Sequence, residues 1–237
     1  MSPEPLVVIG AGEHARVIVD AALAGGDRWA VLGVVTVSAE EPPADGLSAG
    51  LERLGDDATF LARLATTTVG ARPALVVGVG APLDPEARRA IVARYEVLAR
   101  WAVVVHPAAT LAATATVEPG AVVLAGAIVG PGVRVGAHAV VNSGAIVEHD
   151  VRLGAFSQVG PGAVIGGGTT IGDGAFVGLG ARIRDHVAIG AVAVVGMGAV
   201  VVADVASGEV VVGIPARPRA TVPARPRATV RTSGVNR

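Results

Sequence analysis

Aliphatic residues recur at every sixth position from Leu111 to Val201, through Val117, Val123, Val129, Val135, Val141, Val147, Leu153, Val159, Ile165, Ile171, Val177, Ile183, Ile189 and Val195, without a slip. Four residues after most of them comes a small side chain such as Ala121, Ala145, Ser157, Ala163 or Ala181, and glycine often follows directly, as at Gly130, Gly154 and Gly178. A period of six fits neither the 3.6-residue helix nor the strict alternation of one long strand. It predicts a short strand and a turn, repeated. Three such units close a triangular coil of about eighteen residues, with aliphatic and small residues filling the axis and stacked backbones pairing with the coils above and below. The sixteen hexads make roughly five coils.

The first hundred residues follow a different pattern. "PLVVI" reads as a buried strand, the glycine-rich turn after it opens a helix from about Ala15 to Ala24, and Gly25-Gly26 ends that helix. "WAVLGVVTV" is a second strand, "DDATFLARLA" a short helix, "PALVVGVG" a third strand, "DPEARRAIVARYEVLARW" another helix and "AVVV" a fourth strand. Strands alternating with helices predict a small parallel sheet covered by helices. The expected divisions are an α/β, Rossmann-like domain over 1–106, a β-helix over 107–214 beginning at "HPAA", and a tail over 215–237. In that tail "PARPRATV" occurs twice in tandem, a Pro/Arg-rich composition expected to stay mobile.

Composition narrows the partners. With 237 residues and 51% hydrophobic content the chain can bury a sizeable core. A formal charge of -1 with three Phe, two Trp and one Tyr provides neither the basic field nor the stacking platforms of a nucleic-acid binder. No cysteine is present, which excludes disulfides, thiolate nucleophiles and Cys-ligated metals. The five histidines show no ligand spacing, so no metal is expected. The opening residues lack the basic segment and the apolar run of a signal peptide, no later segment matches a membrane span, and a cytoplasmic protein is the expectation.

Two motifs carry chemistry. "GAGEHA", Gly10 to Ala15, lies between a strand and a helix, where backbone N–H groups and the helix dipole can receive a phosphate. It also has the spacing of a dinucleotide fingerprint, but Val35, Thr36 and Val37 stand where an acid would hold the ribose hydroxyls, which disfavours NAD. The second motif is "VEHD", in which His149 lies between Glu148 and Asp150 amid packing residues. Histidine changes protonation around neutrality, and a neighbouring carboxylate fixes its tautomer and stabilises the imidazolium. His149 follows an inward Val147 by two positions, near a coil corner where side chains point outward.

The unbroken hexads resemble the hexapeptide-repeat acyltransferases, which fold as left-handed parallel β-helices. With "GAGEHA" and "VEHD" added, the chain up to Pro215 resembles the sugar O-acyltransferase family of the sialic-acid O-acetyltransferase type. That family includes N-acetyltransferases acting on UDP-4-amino sugars of the bacillosamine and perosamine pathways. The resemblance implies an acetyl-CoA-dependent transfer to an amino sugar or sugar nucleotide, within homotrimers whose active sites lie between neighbouring β-helices. It implies His149 as general base supported by Asp150, with direct attack by the acceptor and no acyl-enzyme. Gly12, Glu13 and His14 would hold the sugar nucleotide with Gly80 nearby, while His14 could equally serve only the helix start. Asn142 would orient substrate or form a ladder between coils. Pantetheine would pass Leu179, Gly180, Gly196 and Met197, and Gln158 stands where the family often places a second histidine, able to donate to the thioester oxygen but not to transfer a proton. "GIPARP", residues 213–218, resembles the closing segment near the adenosine end of CoA. Two departures bear on the nucleotide: the acidic pair after the second strand is missing, and the family's "GxGxN" turn is here "GVGAP", with Ala81 and Pro82. O-acetylation of a sialic-acid-like hydroxyl, acylation of a non-sugar amine, and a non-catalytic sugar-nucleotide-binding module are the alternatives.

Overall fold

The structure is a computed structural model that describes residues 2–36, 51–81 and 83–219. Val37, Pro82 and the tandem repeat from residue 220 onward lie outside the described residues.

Five parallel strands form the N-terminal sheet: β1 (Glu4–Ile9), β2 (Trp29–Thr36), β3 (Glu52–Asp56), β4 (Ala74–Val77) and β5 (Arg100–Trp101), in the order β3-β2-β1-β4-β5. The central strands carry unbroken apolar runs because both faces of the sheet are covered. Leu6, Val8, Val34, Ala74 and Val76 pack against α1 (Glu13–Ala24). On the other face Val7, Ile9, Val35, Leu75 and Val77 pack against α2 (Asp57–Thr66) and α3 (Pro85–Tyr95). Two of the helix starts are capped: the Asp56 side chain accepts from Thr59 N–H at 2.9 Å, and Asp84 accepts from Ala87 N–H at 3.1 Å ahead of Pro85.

Three details differ from the sequence expectation. The first helix begins at Glu13, two residues earlier than the apolar spacing indicated, because Gly10 at φ +116° turns the chain sharply out of β1. Strand β3 has no apolar run to reveal it, since it is an edge strand, "ERLGD", whose one apolar residue is the buried Leu54. "AVVV" does not supply the last strand of this sheet. That strand is Arg100–Trp101, whereas Val104–Val105 pairs with Val122–Val123 and begins the solenoid.

The remainder is a left-handed parallel β-helix. Its two-residue strands stack into three faces. Face I runs from Val104–Val105 to Val194–Val195, then Val210–Val212 and an antiparallel Arg217–Pro218; face II runs from Thr110–Leu111 to Val200–Val201; face III runs from Thr116–Val117 to Ala188–Ile189. In each strand the second residue points to the axis and the first points out. Val123, Val147, Ile165, Val177 and their equivalents form one continuous core with Ala121, Ala145, Ala163 and Ala181 at the corners. Face I bears the N-terminal domain: Val104, Val122, Leu124 and Val140 share a core with Ile18, Ala22 and the underside of the sheet. The edge between faces II and III is therefore the one opposite the N-terminal domain.

Candidate functional site

The third residue of each turn from 120 to 198 has a left-handed backbone, and at nine of these positions it is glycine, for which that conformation is cheap. The five exceptions are His138, Asp150, Phe156, His186 and Val192, each at φ of +52° to +59°. A side chain kept at such a position at a cost in strain invites a reason. Asp150 has one. Its Oδ2 lies 3.0 Å from Nδ1 of His149, on the edge between faces II and III, and both side chains are exposed. A carboxylate only accepts hydrogen bonds, so Nδ1 carries the proton and Nε2 is left with the lone pair. The Val147 side chain anchors the turn from inside the coil, and His149 O accepts from Gly168 N at 2.9 Å in the coil above. The result is an imidazole with a set tautomer on a rigid turn.

A second constellation lies at the carboxyl ends of β1 and β4, where the strand order reverses and open α/β sheets bind ligands. Gly12, Glu13, His14, Gly78, Val79 and Gly80 line a cavity of about 260 Å³ there. Gly78 makes the crevice possible by letting α1 approach closely: a Cβ on it would lie 2.6 Å from Val8 Cγ1 and 2.8 Å from Ala15 Cβ. His14 is pushed down to about 4, by burial first and by the Arg88 charge second, and is neutral at physiological pH. Its Nε2 is buried and has no partner among the described residues. Gln158, on face I, is nearly buried and its amide makes a long 3.5 Å contact with Ala81 O. Within one chain Gln158 therefore stands beside this crevice and not beside His149.

The remaining predicted residues fall on the third line of the prism, the edge between faces I and II. Leu179-Gly180 lies in one turn there and Gly196-Met197 in the turn one coil later; Leu179 and Met197 are exposed, an apolar strip with nothing covering it among the described residues. Asn142 occupies the same edge two coils before Gly178, and its Oδ1 accepts from Ser143 N–H at 2.8 Å. The ladder role expected as one option for Asn142 is corrected, because the stacked positions one coil away are Leu124 and Gly160, which have no amide. At the end of β2, where the sequence lacks an acid, Thr36 is buried, donates to Gly55 O at 3.3 Å and accepts from Arg53 Nη2 at 3.1 Å.

Sequence reasoning missed one inter-domain cluster. Arg88 of α3 is fully buried, and its Nη2 donates to His138 O at 2.9 Å. The His138 ring stacks on Phe156 and meets Trp101 edge-on, while Arg89 lies over Phe156. His138 is pushed down to about 4 by burial and then by Arg88. Two non-glycine residues at left-handed turn positions eighteen apart, His138 and Phe156, were the available signal. His106 is a turn residue whose Nδ1 accepts from Ala108 N–H at 2.9 Å. Among the described residues no cluster of three His, Cys, Asp or Glu is placed to hold a metal, and no helix is long and apolar enough to cross a membrane.

No family model and no curated protein matches the chain. Solved structures do. A GDP-perosamine N-acetyl transferase from Caulobacter crescentus, determined as a histidine-to-alanine mutant with CoA and GDP-perosamine, is 29% identical, covers 92% of this chain and 97% of its own, and superposes with a TM-score of 0.80. The acetyltransferase domain of PglB from Neisseria gonorrhoeae, in complex with acetyl coenzyme A, is 31% identical over 92% of this chain and all of its own, at a TM-score of 0.79. WeeI from Acinetobacter baumannii shares the fold at 19% identity and a TM-score of 0.62. Carrying the same two-part architecture and close to a third of the same residues along nearly its full length, this chain belongs to the hexapeptide-repeat sugar acyltransferase family.

Proposed function

We propose that this protein transfers the acetyl group of acetyl-CoA to the amine of a nucleotide-activated amino sugar. The observation that carries the reading is the exposed His149–Asp150 pair, with Nδ1 engaged at 3.0 Å so that the lone pair is left on Nε2. Relatives that bind acetyl-CoA, or CoA with GDP-perosamine, support the substrates.

Each step falls to a named group. The crevice at Gly12, Glu13, His14 and Gly80 holds the nucleotide and sugar, its helix N-terminus suited to phosphate and the neutral His14 to a hydroxyl. Leu179, Gly180, Gly196 and Met197 receive the pantetheine arm along their apolar edge. The acceptor nitrogen attacks the thioester carbonyl while its proton passes to Nε2 of His149. The tetrahedral intermediate then collapses, the C–S bond breaks, and the CoA thiolate leaves and takes the proton held at Nε2, which restores the neutral imidazole. Asp150 keeps the Nδ1 proton in place throughout. A base so placed contributes about 10²- to 10⁴-fold. Gln158 is assigned to the acceptor side of the site, from its place beside Ala81.

The assembly this reading calls for is a homotrimer, as in the resemblance that prompted it. The acceptor crevice belongs to the domain on face I, and His149 lies on the opposite edge, so the two cannot meet on one substrate within a single chain. In this reading the edge bearing His149 from one copy faces the crevice and apolar strip of the next, and three-fold closure repeats this at every interface. The setting is the cytoplasm, where acetyl-CoA and nucleotide sugars are made.

The test is thiol release from acetyl-CoA with GDP-, UDP- and dTDP-linked 4-amino sugars, with mass analysis of the acetylated product. Turnover of an amine acceptor that disappears in His149→Ala is expected. Equal rates for the two proteins would remove His149 as base, transfer only to hydroxyl acceptors would replace the amine, and full activity of a sedimenting monomer would remove the shared site.

A further inference from the structure

One coil above Glu148-His149-Asp150, on the same edge, stands the turn Gly166-Gly167-Gly168. Two of these glycines answer to the backbone. A Cβ on Gly166 would fall 2.4 Å from Asp185 N, and Gly168 has φ +66°. Gly167 does neither. Its φ is outside the left-handed region, and the three atoms nearest to a Cβ built on it all belong to the His149 ring: Nε2 at 2.5 Å, Cε1 at 2.6 Å and Cδ2 at 3.0 Å. The hydrogen bond from Gly168 N to His149 O, 2.9 Å long, locks the two turns in register, so the ring cannot escape by sliding of the backbone.

We infer that Gly167 is a positioning residue: its missing side chain is the seat on which the His149 imidazole lies, with Nδ1 held toward Asp150 and Nε2 next to the glycine. The inference rests on the reading of His149 as the base. A methyl group at 167 cannot share the space, since 2.5 Å is closer than a Cβ comes to another heavy atom, so the ring swings off the coil and its contact with Asp150 breaks. The displacement needs no change in the fold, because the ring lies on the exposed outside of the coil.

The experiment compares wild type, Gly167→Ala, His149→Ala and the double variant by steady-state kinetics, thermal melting and crystal structure, with ¹⁵N NMR of the His149 ring. For Gly167→Ala, kcat should fall on the order of 10- to 100-fold, the cost of a base misplaced by about an ångström, with KM for acetyl-CoA unchanged and the ring displaced. In the His149→Ala background the same substitution should cost nothing further, since no ring remains to be displaced. An unmoved ring with unchanged kcat, or a full additional loss in the double variant, overturns the inference. If Gly167→Ala does not fold, the double variant decides: recovery of a cooperative melt supports the seat, and failure of both variants overturns it. If wild type transfers no acetyl group, the reading of His149 as base fails by itself, and the ring position and its ¹⁵N resonances still decide whether Gly167 seats it.

Discussion

Nη2 of Arg88 donates to the carbonyl oxygen of His138 across 2.9 Å, joining α3 of the N-terminal domain to a solenoid turn fifty residues further on. The guanidinium is wholly enclosed, burial pushes it down to about 10, and it stays charged at neutral pH. Its Nε and Nη1 have no partner among the described residues. Arg88→Ala should cost about 2–4 kcal/mol, from the cavity and from the unsatisfied His138 carbonyl. Arg88→Met restores packing without the hydrogen bond and should fall between the two. Urea unfolding of the three proteins checks the order.

Stability should fall on mild acidification. His14 and His138 are each lowered to about 4 from 6.5, by burial first and Arg88 second. Between those values the unfolded chain binds protons that the native one refuses. The contribution is complete above the unfolded value and is lost as pH falls, with a slope of up to about 1.4 kcal/mol per pH unit for each histidine. Denaturation midpoints measured from pH ~7.5 down to ~5 test this. His138→Asn, which suits the φ of +57°, should be less stable overall but show a flatter profile. A flat wild-type curve would mean that both rings accept protons in the native state.

Asp150→Asn isolates the carboxylate charge, since asparagine is tolerated at φ +59°. The amide can donate to Nδ1 and so favour the wrong tautomer, moving the proton to Nε2. A fall in kcat of at least about tenfold is expected, with the melting temperature and KM for acetyl-CoA unchanged. Steady-state kinetics beside a thermal melt separates the two effects.

Leu179 and Met197, exposed one coil apart on the edge between faces I and II, should each raise KM for acetyl-CoA when changed to aspartate. A charge there opposes both the apolar contact and the approach of the CoA phosphates. Acceptor KM should not change. Titration with CoA alone, followed by calorimetry, provides an independent reading.

The parts of this protein legible in its sequence are those whose cause is local. Leu111 to Val201 at every sixth place can satisfy a buried axis only as a coil, and Asp150 adjoins His149 in the chain, so their pairing needed no tertiary information. The strand β3 escaped notice because an edge strand buries little and shows no apolar alternation. Val104–Val105 reads as an ordinary strand, and only its pairing with Val122–Val123 assigns it to the solenoid.

The hexad pattern alone dictated a three-sided coil with a histidine at a corner, because side-chain volume at each inward position repeats with the turn. Which edge lies away from the N-terminal domain was decided only in three dimensions, when face I was covered by that domain and His149 was left on the side opposite. The same holds for Arg88 against His138 and for Gly167 beside His149: each pair meets by docking or by the stacking of coils, and no residue in either pair names its partner in the sequence.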